Sequence, residues 1–317
     1  MTRGKRTQTT QLKVRILREG IVESTHQVQA TICDHKGRVL SVAGDADTAT
    51  FIRSALKPFQ ALVVTTTGVL ERYNLTDIDL AVICSSHQGT IEQARQVFNV
   101  LWRCDIEPSK LQCPIPPQKN SPLQHNCSGK HAGMLAICQQ RNWSMESYLE
   151  MKHPVQKLII SKVAELLAMP APEFIGARDD CGAPTYLLQL SQMATLYAKL
   201  ASGNSLDLER IVRAMTYYPE MVAGKGHFDT ELIRLTSGEL VSKSGAEGVQ
   251  CIGRVGEGMG LAIKVNDGAK RAKYAVAIHL LTHMGWIAPS IAETLAENYM
   301  LLSNIKRLEV IGEMSII

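Results

Sequence analysis

The run Arg53-Ser54-Ala55-Leu56-Lys57-Pro58 sets a serine and a lysine three residues apart. On a helix that spacing puts both side chains on one face, with the amine within hydrogen-bond reach of the hydroxyl, so the pair is a candidate nucleophile with its own base. Pro58 has no N–H and is tolerated only in a helix's first turn, which predicts a helix that starts at or just before Ser54 and runs to about residue 72. The hydroxyl then lies at the helix mouth, where the macrodipole and unpaired N–H groups favour a developing oxyanion. A lysine acts as a base only when neutral, which requires burial or a second cation to lower its pKa. Lys243 is the candidate for that second cation.

Composition limits what the chain around this run can be. With 317 residues, 45% of them apolar and 20% charged, there is ample material for one large or two modest domains. No apolar run is long enough to span a bilayer, so no membrane role is expected. The 34 basic and 30 acidic residues are spread along the chain with a net charge of +4, which gives no basic block for nucleic acid beyond the N-terminus. Residues 1–10 read as a disordered tail. No apolar leader follows them, because Lys13, Arg15 and Arg18 interrupt the next apolar residues, and a cytoplasmic protein is expected. In that reducing compartment the eight cysteines are buried thiols, metal ligands or nucleophiles.

Alternation of period two marks residues 12–18, 27–33 and 38–43 as antiparallel strands. Residues 80–85 read as a buried strand ending in Ser85-Ser86-His87, followed by a helix over 91–102. Five prolines in 104–122 mark a long loop, by its length a candidate functional segment. Helical periodicity covers a segment ending near 140, then 154–169, 187–201, 206–217 and 229–235, with a short strand at 174–177. Period two returns at 239–243, 248–254 and 260–265, before helices over 273–284 and 289–300. The expected architecture is therefore an α/β (α+β) fold. One antiparallel sheet comes from the N- and C-terminal strands, about 11–53 and 237–317, with flanking helices and a helical middle, about 54–236. Residues 11–317 read as a single catalytic unit.

Three further groups could carry chemistry. Lys243-Ser244-Gly245 closes a late strand, and Ser-x-x-Lys at a helix start followed by Lys-Thr-Gly on a sheet strand is the signature order of serine β-lactamases and penicillin-binding proteins. Ser86 is either an exposed functional hydroxyl at an element's end or a turn serine. Cys127 with Lys130, and Cys181 with Asp179, sit in two glycine-containing loops; they are either half of a zinc site, completed by a neutral lysine, or ordinary buried thiols. His87 and His131 are candidates for polar contacts. Arg53 and Asp179 have the charges to hold an amino acid's carboxylate and ammonium. His279 and His283, four apart in an apolar helix, read as structural.

Arg53-Ser54-Ala55-Leu56-Lys57-Pro58, Ser85-Ser86-His87, Asn126-Cys127-Ser128-Gly129-Lys130-His131-Ala132-Gly133-Met134, Asp179-Asp180-Cys181-Gly182-Ala183-Pro184-Thr185, Tyr197-Ala198-Lys199-Leu200-Ala201, Pro219-Glu220-Met221-Val222-Ala223-Gly224 and Lys243-Ser244-Gly245-Ala246 together resemble the rhizobial-type (thermolabile, class 3) L-asparaginases. The resemblance implies a β-lactamase/glutaminase-like fold and hydrolysis of L-asparagine to aspartate and ammonia. It implies two Ser–Lys tandems, Ser54 with Lys57 and Ser86 with Lys243. It further implies a zinc on Cys127, Lys130 and Cys181 that positions substrate, and a homodimer. The readings set against it are a penicillin-recognising serine acylase and a non-catalytic, zinc-containing amino-acid-binding protein.

Overall fold

The computed structural model describes residues 8–317, so residues 1–7 of the expected tail lie outside the described residues. Gln8 bridges to Asp45, its Nε2 donating to the carboxylate at 2.8 Å, and the Thr9 N–H donates to Gly44 O at 2.7 Å. Contacts group the chain into two compact units. One takes the described residues up to Ala55 with Leu188–Gly203 and Glu231–Ile317; the other takes Leu56–Leu187 and Asn204–Thr230.

The first unit is built on a nine-stranded sheet. Its main path runs Leu301–Ser303, Lys306–Ile311, Leu12–Arg18, Ile21–Asp34, Met259–Val265, Val249–Arg254 and Leu240–Ser244. Val39–Ala43 pairs with Ile21–Asp34 and with Ser315–Ile316 beside that path. Neighbouring strands are antiparallel, with registers such as Val28 opposite Val265 and Lys243 opposite Cys251. The sequence pattern explains the pairing. Leu12, Val14 and Ile16 point into the core while Lys13 and Arg15 alternate with them, and the late strands are buried nearly throughout. Helices Leu190–Leu200 and Lys270–His283 pack on this sheet. The sheet thus joins the two ends of the chain, as the change of period predicts. It also takes three strands after Met300, a stretch with too few alternating residues to be read as sheet.

The second unit is helical. Its helices include Lys57–Thr66, Val69–Arg72, Asp77–Ile83, Ile91–Arg103, Ser128–Arg141, Pro154–Leu167 and Leu206–Tyr217, beside a hairpin formed by Gly176–Arg178 and the N-terminal half of Pro184–Gln189. Two expectations are corrected here. The predicted helix over 54–72 is a 3-10 turn, Arg53–Leu56, then an α-helix Lys57–Thr66 that breaks before Gly68, whose φ of 71° no continuing helix can hold. The predicted strand at 80–85 is the helix Asp77–Ile83. A short apolar run does not distinguish strand from buried helix, and the deciding signal is Thr76, whose N–H donates to the Asp79 carboxylate at 2.7 Å in a capping box. Asp79 is wholly buried and takes an Arg103 guanidinium N–H at 2.8 Å, so the cap is also an anchor. No helix among the described residues is long and apolar enough to cross a membrane.

Candidate active site

In the first unit, the 3-10 turn Arg53–Leu56 carries Arg53 and Ser54. Arg53 has φ 53°, a left-handed conformation that costs a non-glycine residue of order 1 kcal/mol and redirects the chain just before the serine. Tyr197 Oη donates to Ala55 O at 2.8 Å and the Ala55 N–H donates to Ile52 O at 3.2 Å, which fixes the turn from both sides. Gly245 lies against the same backbone: a Cβ there would stand 2.9 Å from Ile52 O. Only glycine lets Lys243-Ser244-Gly245 come that close to the Ser54 turn. Lys243 is wholly buried and its Nζ donates to Ser244 O at 3.0 Å. Behind it, buried Lys273 donates to Gly245 O at 2.7 Å and to Val249 O at 3.0 Å, and Gln250 bridges Ser242 and Ser244. The Ser54 turn and the strand that carries Lys243, far apart in the sequence, are thus packed against each other at Gly245.

In the second unit, Lys57 opens its helix fully buried. Its Nζ donates to Ser85 O at 2.5 Å, to Ser86 Oγ at 2.9 Å and to Asn126 O at 2.9 Å. Burial lowers its pKa and the Lys130 charge adds to this, against the pull of the Cys127 sulfur. A lysine so placed gives up its proton more readily than one in water. The resemblance pairs Ser86 with Lys243; within this unit the amine on the Ser86 hydroxyl is that of Lys57.

The close approach of two helices makes this arrangement possible. A Cβ on Gly129 would stand 1.8 Å from Val82 O, so the helix Ser128–Arg141 sits directly on Asp77–Ile83. That contact brings Asn126, Cys127 and Lys130 beside the Ser85-Ser86-His87 turn. His87 is spent inside the turn: its Nδ1 accepts the Gly89 N–H at 3.0 Å, leaving Nε2 as the donor to Ser128 Oγ at 2.9 Å, and that hydroxyl donates to Leu123 O. Burial, then the Lys57 charge, push His87 down to about 3, so the ring is neutral. His131, wholly buried, is likewise pushed down to about 3, by burial and then by Lys130. Its Nδ1 lies 2.6 Å from Tyr148 Oη.

Cys127, Lys130 and Cys181 do converge. Cys127 and Cys181 are hydrogen-bonded to each other, and that bond first, then the Lys57 and Lys130 charges, lower the Cys127 pKa while the Cys181 thiol is pushed up. Within the pair Cys181 holds its proton the more tightly, which makes its S–H the donor toward the Cys127 sulfur. Burial opposes the Lys130 charge, but Cys127, Cys181 and Asp179 outweigh it and raise its pKa. Asp179 lies 3.5 Å from Lys130 and is held by the Asp180 N–H at 2.9 Å. Among the described residues no three His, Cys, Asp or Glu side chains converge as a metal cluster. A metal here would take two sulfurs and depend on the Lys130 nitrogen for its third protein ligand, a donor set that suits zinc. Spacing alone put Ser54, Lys57, Cys127 and Lys130 forward as candidates. Asn126 O, Ser85 O and Tyr148 were missed, since backbone acceptors and residues in irregular segments leave no periodic signal.

Residues 14–316 match the family model described as L-asparaginase II. No curated protein matches the chain. Among solved structures it is similar to Mglu, at 15% identity and a TM-score of 0.41 over 81% of this chain and 67% of that one. It is similar to Mglu in its glutamate form, at 15% and 0.41 over 82% and 61%. It is also similar to a β-lactamase from Mycobacterium bovis, at 12% and 0.39 over 86% and 95%. The chain spans about two thirds or less of the length of the two Mglu chains.

Proposed function

The chain belongs to the L-asparaginase II family, a family of amide hydrolases of the asparaginase type, and on that footing we propose that it hydrolyses L-asparagine to L-aspartate and ammonia through an acyl-enzyme. Ser54 attacks the side-chain amide carbon. Lys57 takes the serine proton and returns it to the leaving ammonia, and N–H groups of the Ser54 turn hold the oxyanion. The observation that carries this reading is the fully buried Lys57, three residues past Ser54, with its proton affinity lowered by burial. Ser86 and Lys243 are proposed as the second Ser–Lys tandem that the family resemblance implies. Arg53 and Asp179 pair with the substrate's α-carboxylate and α-ammonium, and His87 and His131 shape the polar wall.

Zinc is the proposed cofactor, held by Cys127, Lys130 and Cys181, whose donor set fits it. When bound it would keep both sulfurs ionised, tie the two loops together and present an exchangeable water to the substrate. The protein is proposed to work as a cytoplasmic homodimer. The test is steady-state ammonia release from L-asparagine, L-glutamine and, as a trap for penicillin-type acylation, a β-lactam. L-asparagine should be turned over far better than L-glutamine; hydrolysis of neither amide would overturn the reading.

A further inference from the structure

His131 Nε2 is, among the described residues, the only side-chain nitrogen that is buried with no hydrogen-bond partner. A buried polar group left unpaired costs about 1–3 kcal/mol, so its persistence calls for an explanation. The rest of the ring is fully determined. Tyr148, wholly buried, meets the imidazole edge to face, with centroids 5.6 Å apart and planes at 89°. Tyr148 Oη accepts the Gln112 backbone N–H at 3.0 Å and lies 2.6 Å from His131 Nδ1.

Counting protons settles which way that short bond runs. If Nδ1–H donated to Oη, the phenol would accept twice, its own hydrogen would have no acceptor and Nε2 would be a bare lone pair. If Oη–H donates to Nδ1, every group in the chain Gln112 N–H to Tyr148 to His131 is satisfied, and only Nε2–H is left over. The phenol is clamped in that role. Gln112 Nε2 donates to Glu146 O at 2.8 Å, and Gln156 Nε2 donates to Tyr148 O at 2.8 Å. Gln112 lies in the proline-rich loop 104–122, which gives that long segment a definite task.

We propose that Tyr148 is a positioning residue: backed by Gln112, it holds His131 as the Nε2–H tautomer, so that a neutral, water-excluded N–H waits for an oxygen of the bound substrate. This rests on the asparaginase reading for the identity of the substrate, an amino acid with carboxylate and amide oxygens, but the tautomer itself does not. A neutral donor contacts such an oxygen without adding a charge to this buried wall.

The test combines spectroscopy and kinetics on the full chain. In protein labelled with 15N-histidine and assigned through His131→Gln, Nδ1 should have the shift of an unprotonated ring nitrogen and Nε2 that of an N–H. The Nε2–H resonance should move on saturation with L-aspartate. Tyr148→Phe should lose the tautomer preference and raise KM for L-asparagine about tenfold, with kcat changed less than about threefold. His131→Gln, whose amide donor replaces Nε2–H, should keep KM within about threefold of wild type, whereas His131→Leu should raise it about tenfold. A wild-type proton on Nδ1, an Nε2–H that ignores L-aspartate, or a folded Tyr148→Phe with unchanged KM would each overturn the proposal. If Tyr148→Phe does not fold, the wild-type spectra with and without L-aspartate decide. A wild type that hydrolyses no amide yet shows Nε2–H would sink the asparaginase reading and leave the tautomer standing.

Discussion

At the scale of single residues, Cys127 and Cys181 carry the sharpest chemical consequence. The Cys127 and Cys181 sulfurs are hydrogen-bonded to each other beside Lys130, and zinc in place of the proton between them would keep both sulfurs ionised. Purified protein should therefore hold about one zinc per chain, as a site with three protein ligands requires. Cys181→Ser should lose it and weaken L-asparagine binding while leaving Ser54 able to react. Elemental analysis paired with KM decides, and a zinc-free wild type of full affinity would make these ordinary buried thiols. The Ser54 and Lys57 pair was legible as a candidate because its spacing is local, although the structure puts Ser54 in the 3-10 turn Arg53–Leu56 and Lys57 at the start of the following helix. The Lys57 bond to Ser86 was not, since it depends on how two helices approach, and no spacing along the chain encodes a contact between residues 29 apart.

At the scale of elements, the helix Ser128–Arg141 places more of the site than any other, and its seat is Gly129. A methyl group there meets the Val82 carbonyl, a backbone atom that cannot swing aside. Gly129→Ala should destabilise the fold by about 1–3 kcal/mol, toward the upper end because the obstacle is backbone, and should displace Cys127 and Lys130 with it. Urea unfolding measures this; an unchanged midpoint would show that the two helices part at no cost. Element types were readable where periodicity ran long, as in Pro154–Leu167 or Leu206–Tyr217. They failed at Asp77–Ile83, whose seven residues are too few to show a period and whose type was set by the Thr76 cap.

At the scale of the whole molecule, the joining of both chain ends in one sheet was legible because the runs of period two cluster near the termini, with mostly helical periods between. The strands past Met300 were not, since their short, half-exposed residues carry little alternation. Buried neutral histidines give the fold a defined response to acid. His87 binds its proton at about 3 in the folded protein and near 6.5 when unfolded. Between those values the unfolded chain is the better proton acceptor, so stability is intact above the upper value and is lost as pH falls toward the lower, by about 1.4 kcal/mol per pH unit for each such ring. An NMR titration of the His87 ring should be flat from about pH 8 to about pH 5, and a midpoint near the unperturbed value would contradict its burial as a neutral group.

The central claim is that Ser54 becomes acylated, and it can be read directly. Protein mixed with L-asparagine, quenched in acid within the first turnovers, digested and analysed by mass spectrometry should carry one β-aspartyl group on the peptide containing Ser54, absent after Ser54→Ala. An adduct on the peptide containing Ser86, or steady ammonia release by Ser54→Ala at the wild-type rate, would contradict the account.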